Sequence, residues 1–139
     1  MKAAARELVR MREAFLESLE PQVVELAILI AERVLQREVA GDREAIRRTA
    51  RRALEHVVDA AGVTVCVNPA DLEALRAEKV RLLETFEGIR QLTIRADARV
   101  SPGGCTVDTE SVHIDAGVES QFARIVDALR EPSETPRVE

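Results

Sequence analysis

Between Leu8 and Val34 an apolar residue recurs every three or four positions: Leu8, Met11, Phe15, Leu19, Val23, Leu26, Ile30 and Val34. That spacing follows one face of an α-helix and excludes a strand, whose faces alternate at every second residue. From residue 23 a second set, Val24, Ile28, Ala31 and Leu35, widens the stripe. A helix that is apolar on more than one side needs cover from several neighbours or from a second copy of the chain. Glu20-Pro21 sits within the pattern, and a proline there removes a ladder hydrogen bond, so a kink or break is expected. Residues 1–20 then read as an amphipathic helix with a narrow stripe, a dimerisation stub suited to pairing in a coiled coil.

The remainder of the 139 residues is enough for one core. That core has almost no aromatic material, since there is no Trp or Tyr and only Phe15, Phe86 and Phe122. Leu, Val, Ile and Ala must fill it, and the stacking platforms that grip bases or sugars are missing. Residues 1–62 carry 11 basic and 11 acidic side chains, and residues 63–139 carry 9 and 14, so the second part holds the whole net charge of −5. An acidic chain repels phosphate backbones at long range, which weighs against nucleic acid as the main partner. Two cysteines do not make a disulfide framework, and Cys66, inside an apolar run, reads as a small buried hydrophobe. The N-terminus has no apolar signal region, and Glu25 interrupts the longest apolar stretch, which is too short to span a bilayer. A cytoplasmic protein without membrane insertion is expected.

Gly41 ends the first helical region and Asp42 caps a second helix, whose inward stripe is Ile46, Ala50, Ala53, Val57 and Ala61, up to Gly62. Residues 63–67 read as a short buried strand. Asn68, Pro69 and Asp71 supply an N-cap, a first-turn proline and a first-turn acid for a helix that buries Leu72, Leu75, Leu82 and Phe86. Leu92, Ile94 and Ala96 alternate with polar residues as a second strand. Ser101, Pro102, Gly103 and Gly104 form a turn, in which the glycines allow positive φ and Gly104 is the one expected to resist substitution. A hairpin over 105–116 follows. With Asp108 opposite His113, Cys105, Val107, Val112, Ile114 and Ala116 share one face, and Thr106, Asp108, His113 and Asp115 the other. A last helix turns Val118, Phe122, Ile125, Val126 and Leu129 inward, and residues 131–139 read as a disordered tail. The fold class is α+β: N-terminal helices, then a small mixed sheet with a hairpin, flanked by helices.

Candidate chemistry is sparse. Cys105, His113 and Asp115 supply a nucleophile, a base and an orienting acid, but the hairpin register sets Cys105 on the face opposite His113. Asp108, His113 and Asp115 match no recognised metal-ligand spacing, and a solvated Asp108–His113 pair is the favoured reading. Gly103-Gly104 lacks the Lys-Ser/Thr of a phosphate-binding loop. No catalytic, cofactor-binding or metal-ligating residue is therefore expected. Arg43, Arg47, Arg48, Arg51 and Arg52 crowd one helix. They read as a solvated face with pairs such as Arg48–Glu44 and Arg51–Glu55, as a surface for an acidic protein, or as a nucleic-acid module.

The stretch Ser101-Pro-Gly-Gly-Cys-Thr-Val-Asp-Thr-Glu110, followed by Ile114-Asp-Ala116 and Gln121, resembles the signature of the FliH family of flagellar assembly proteins. Val65-Cys-Val-Asn-Pro-Ala-Asp-Leu72 and the two helices before it fit as well, so the resemblance covers roughly residues 21–130. Relatives of that family include the stators of virulence type III secretion and the peripheral-stalk E subunit of rotary ATPases. The resemblance implies a C-terminal domain like theirs over 21–130, and a non-enzymatic stator or adaptor. Such proteins form dimers, bind the N-terminal segment of an export ATPase, restrain its activity and link it to rotor and export-gate proteins. A peripheral-stalk E subunit is the alternative within the same resemblance. Family members carry a Trp-bearing N-terminal segment that docks on the rotor, and this chain has no Trp.

Overall fold

A computed structural model describes residues 2–130, and the expected tail over 131–139 lies outside the described residues. The first element, α1, is helical from Lys2 to Ala40 and passes through Pro21 without ending. A single proline forfeits one ladder bond, and the residues on either side keep their helical partners, so the expected break is not made. The chain divides into two units, Met1–Val34 and Leu35–Glu139. In α1 no residue is buried, and Leu8, Phe15, Leu26 and Ile30 are all exposed.

In the second unit, Asp42 caps α2 (Arg43–Leu54) by accepting from the Glu44 N–H at 2.9 Å. The helix buries Ala45, Ile46, Ala50, Ala53 and Leu54 and stops there, eight residues before Gly62. Ala60 and Ala61, expected as helix, and Gly62, expected as its stop, begin β1 (Ala60–Val67) instead. Their backbone groups gain a parallel ladder with β2 (Ile89–Ala96), Ala60 opposite Ile89 and Gly62 opposite Gln91. That non-local pairing outweighs helix propensity. The crossover from β1 to β2 holds a 3-10 turn, Pro69–Asp71, and two short helices, α3 (Leu72–Ala77) and α4 (Lys79–Thr85). The single helix expected here is divided at Glu78.

β3 (Cys105–Asp108) pairs antiparallel with β1, and β4 (His113–Ala116) antiparallel with β3, giving the strand order β2-β1-β3-β4. Asp108 stands opposite His113, the register that separates apolar from polar side chains. Val63, Val65, Val67, Leu92, Ile94, Cys105, Val107 and Ala116 are buried together with Ile46, Leu54, Leu75 and Leu82 from the helices. No aromatic side chain belongs to this fully buried set, and Phe86 packs at its margin. Three expectations are corrected. Alternation puts Cys66 half-exposed on the outer face, while Cys105 is the buried thiol. Val112 precedes β4 and is exposed. α5 (Val118–Arg130) buries none of its residues: Val118, Phe122 and Val126 are half-buried, and Ile125 and Leu129 are 55% and 80% exposed.

The positive φ of the Ser101–Gly104 turn belongs to Gly103, at +85°, and not to Gly104. A Cβ on Gly103 would also overlap Val39 Cγ1. Gly104 is constrained differently, by backbone: its Cβ would lie 2.8 Å from Val118 N and 2.9 Å from Gly117 Cα. Gly103→Ala is expected to lose about 1–2 kcal/mol from the left-handed backbone alone. Gly104→Ala should cost at least as much, because two backbones must separate. Cys105→Ala removes one sulfur from the core and should cost less than either. Urea denaturation of the three variants checks the order, and a Cys105→Ala loss exceeding both glycine losses would contradict it.

Candidate functional site

The motif residues around the hairpin assemble one joint, which sets α5 against the sheet. β4 delivers the chain to Gly117, and the lack of a side chain on Gly104 lets the backbone at Gly117 and Val118 come into contact with it. Asp115 then binds the start of the helix: its Oδ1 accepts from Gly117 N–H at 2.9 Å and its Oδ2 from Ser120 Oγ at 2.6 Å. The Ser120 hydroxyl, then the Gly117 N–H, hold the Asp115 carboxyl below the usual aspartate range. Gln121 Nε2 donates to Ala116 O at 2.8 Å, and Arg124 donates to Asp115 O at 2.7 Å, so the first two turns of α5 are bonded back to β4. Ser101 Oγ donates to Glu119 from the turn before β3. Gly104, Asp115 and Gln121 thus act as scaffold, and the helix they hold turns Ile125 and Leu129 to solvent.

Two buried acids complete this scaffold. Asp71 Oδ2 accepts from Gly103 N–H at 2.7 Å, tying the crossover to the turn before β3. Glu78 lies among three arginines, Arg51 at 3.3 Å, Arg47 at 3.7 Å and Arg81 at 3.8 Å. The α2 cations therefore pair otherwise than expected: Arg48 reaches Asp42 at 2.9 Å, Arg47 takes Glu44, and Arg51 turns to Glu78 instead of Glu55. A signal for both acids was present in the sequence. Asp71, Leu75, Glu78 and Leu82 follow one another at steps of four, three and four, so in the sequence the acids fall on the inward stripe of the crossover. Among the described residues, Arg43 and Arg52 have no carboxylate at ion-pair distance.

The residues with nucleophilic or basic chemistry are not brought together. Cys105 is buried opposite Ala116 on the inner face, and burial pushes its thiol up to about 12, far from the thiolate a nucleophile requires. His113 Nδ1 bonds to Asp108 on the outer face, and that hydrogen bond raises its pKa above the ordinary 6.5. Asp115 is engaged with the start of α5. Among the described residues no group of three His, Cys, Asp or Glu is placed to hold a metal ion. Among them also, no helix is long and apolar enough to cross a membrane.

Comparison with known proteins agrees with the resemblance read from the hairpin motif. The family profile described as "Flagellar assembly protein FliH" matches residues 1–125. The chain is 30% identical over 123 residues to the flagellar assembly protein FliH of Borreliella burgdorferi, covering 88% of this chain and 40% of that protein. It is 30% identical over 120 residues to the type 3 secretion system stator protein of Yersinia pestis, covering 84% and 52%. A probable flagellar assembly protein FliH of Bacillus subtilis is 26% identical over 114 residues, covering 82% and 54%. The chain thus spans about half the length, or less, of these relatives.

The two outer-face groups should show in titrations. Because the folded pKa of Asp115 is depressed, its stabilisation is present above about pH 4 and lost as pH falls through the folded value. Asp115→Asn should lower stability at pH 7 by about 1 kcal/mol, the usual worth of a cap at a helix start. The gap from the unsubstituted chain should close below pH 4; a gap independent of pH would contradict the role. For His113 the sign is reversed. Its pairing with Asp108 is present below pH 6.5 and lost as pH rises through the raised value, so NMR should show it titrating above 6.5 and Asp108→Asn should lower it.

Proposed function

Since this chain belongs to the FliH family of flagellar assembly proteins, we propose that it is a non-catalytic stator or adaptor that binds the export ATPase of a flagellar or type III secretion system and restrains its turnover. The observation that carries the reading is the use made of the family motif. Its residues go into a joint that holds α5 with apolar side chains outward, an arrangement suited to a partner and not to a reaction. The name of the Yersinia relative, a type 3 secretion system stator protein, supports an attachment role over a catalytic one. Burial and protonation of Cys105, away from His113, speak against thiol chemistry. Engagement of Arg47 and Arg51 by Glu78 weighs against the α2 face as a phosphate-binding surface.

On this reading residues 21–130 carry the ATPase contact, and residues 1–20 contribute to a homodimer. Exposed Leu8, Met11 and Phe15, at helical spacing, support pairing of α1 with a second copy. The partner's N-terminal segment binds as an amphipathic helix, the form in which a groove reads side chains at i, i+3, i+4 and i+7. Link proteins at the rotor or export gate would meet the complex at the membrane periphery.

The purified chain should have no ATPase activity and should lower the turnover of the cognate export ATPase when titrated into it. Removing roughly the first 20 residues of the ATPase should abolish the effect if the helix-in-groove picture holds. Inhibition that survives this deletion would place the contact elsewhere, and no binding to any candidate ATPase would refute the adaptor role. Light scattering at about 100 μM should give the mass of a dimer, since a stable interface persists at that concentration.

A further inference from the structure

The mixed sheet has two edges, and the chain treats them differently. β4, at one edge, has four residues, and α5 turns back onto it. Gln121 Nε2 donates to Ala116 O and Arg124 to Asp115 O, so side chains of α5 take up carbonyls of that strand. β2, at the opposite edge, has eight residues and pairs with β1 in one register, from Ala60 opposite Ile89 to Val67 opposite Ala96. It holds no proline, and no bulge bends it away. α3 and α4 pack against it, and Leu92 and Ile94 are buried. From Arg90 to Ala96 its backbone has no hydrogen-bond partner besides β1 among the described residues. The N–H and C=O groups that an edge strand turns away from its neighbour form a template for one more strand.

Charge decides what that template accepts. Arg90 and Arg95 are exposed on β2, and neither has a carboxylate at ion-pair distance among the described residues. Charged side chains guard an edge against strands that cannot answer them. A second copy of β2 is such a strand: it doubles the arginines on the ladder and brings no carboxylate, since Ile89–Ala96 contains none. Opposite charges across a ladder attract, and like charges destabilise it. We propose that the β2 edge takes an extended segment of a partner protein as an added strand, with Asp or Glu five positions apart, opposite Arg90 and Arg95, and β-branched residues between them. The spacing is the same whichever way the segment runs, because ladder partners step residue for residue. This contact goes beyond the stator reading, which calls on helices and leaves the sheet edge unused.

The test uses the full chain and three labelled synthetic peptides of equal length. The first alternates Val and Thr between two Glu residues five positions apart. The second has Lys in place of both Glu, and the third keeps the Glu sequence but has its central amides N-methylated, which removes ladder donors and leaves the charge. Fluorescence anisotropy should show binding of the first peptide alone. Amide hydrogen exchange followed by NMR should slow within β2 when that peptide binds, and should not change in β4. The double variant Arg90→Glu/Arg95→Glu should weaken binding about tenfold and should turn the preference to the Lys peptide, as complementary charges require. Arg95→Glu alone, at an exposed side chain, should weaken binding in the same direction and gives a second reading if the double variant unfolds. Equal binding of the N-methylated peptide would mean charge attraction without a strand and would overturn the proposal. So would protection outside β2, binding unchanged in both variants, or absence of peptide binding. A fall in mass by light scattering when the peptide is added would assign the edge to a second copy, and would overturn it as well.

Discussion

Gly104 meets Gly117 and Val118 backbone to backbone, and the placement of α5 depends on that approach. β4 has only four residues, and α5 buries none of its side chains, so little apolar area holds this end of the domain together. Close contact is possible because Gly104 carries no Cβ. Once the backbones touch, the hydrogen bonds of Asp115, Gln121 and Arg124 fall into reach and fix the direction of the helix. Without the approach, each of those bonds would exchange with water at little net gain.

The buried acids follow the same economy in a core with few large side chains. Asp71, at the end of the 3-10 turn, and Glu78, between α3 and α4, occupy inward positions on the apolar stripe of the crossover. Each is tolerated because a donor comes to it: a backbone N–H from the turn before β3 for Asp71, and arginines from α2 and α4 for Glu78. In doing so they link elements distant in sequence, with Asp71 and Gly103 32 positions apart. They also settle part of the surface charge, since Arg47 and Arg51 pair with Glu78 while Arg52 has no carboxylate at ion-pair distance among the described residues.

Function follows from what the core leaves out. The inner sheet face is satisfied by α2, α3 and α4, so the apolar side chains of α1 and the outer side of α5 are surplus to folding. Two exposed apolar surfaces, with the Cys105 thiol buried away from the histidines, are what the proposed stator role draws on. This agrees with the family to which the chain belongs.

Much of this was legible in the sequence because it depends on local periodicity. Helical spacing gave α1, the Asp42 and Asn68 caps gave the starts of α2 and the 3-10 turn, and strict alternation gave the hairpin register with Asp108 opposite His113. Alternation by itself also sets Cys105 and His113 on opposite faces. The tertiary structure decided the rest, for non-local reasons. A parallel ladder with β2 recruited Ala60 and Ala61 from helix to strand. A one-residue count along β1 turned Cys66 outward, although its neighbours in the run are apolar. Buried Glu78 drew Arg51 away from Glu55, and the capping Asp42 took Arg48 in place of Glu44. The stripe on α5 marked an apolar face, but periodicity carries no information on whether that face meets its own core or another protein; here the short β4 gives it too little to cover it, and Ile125 and Leu129 remain in solvent.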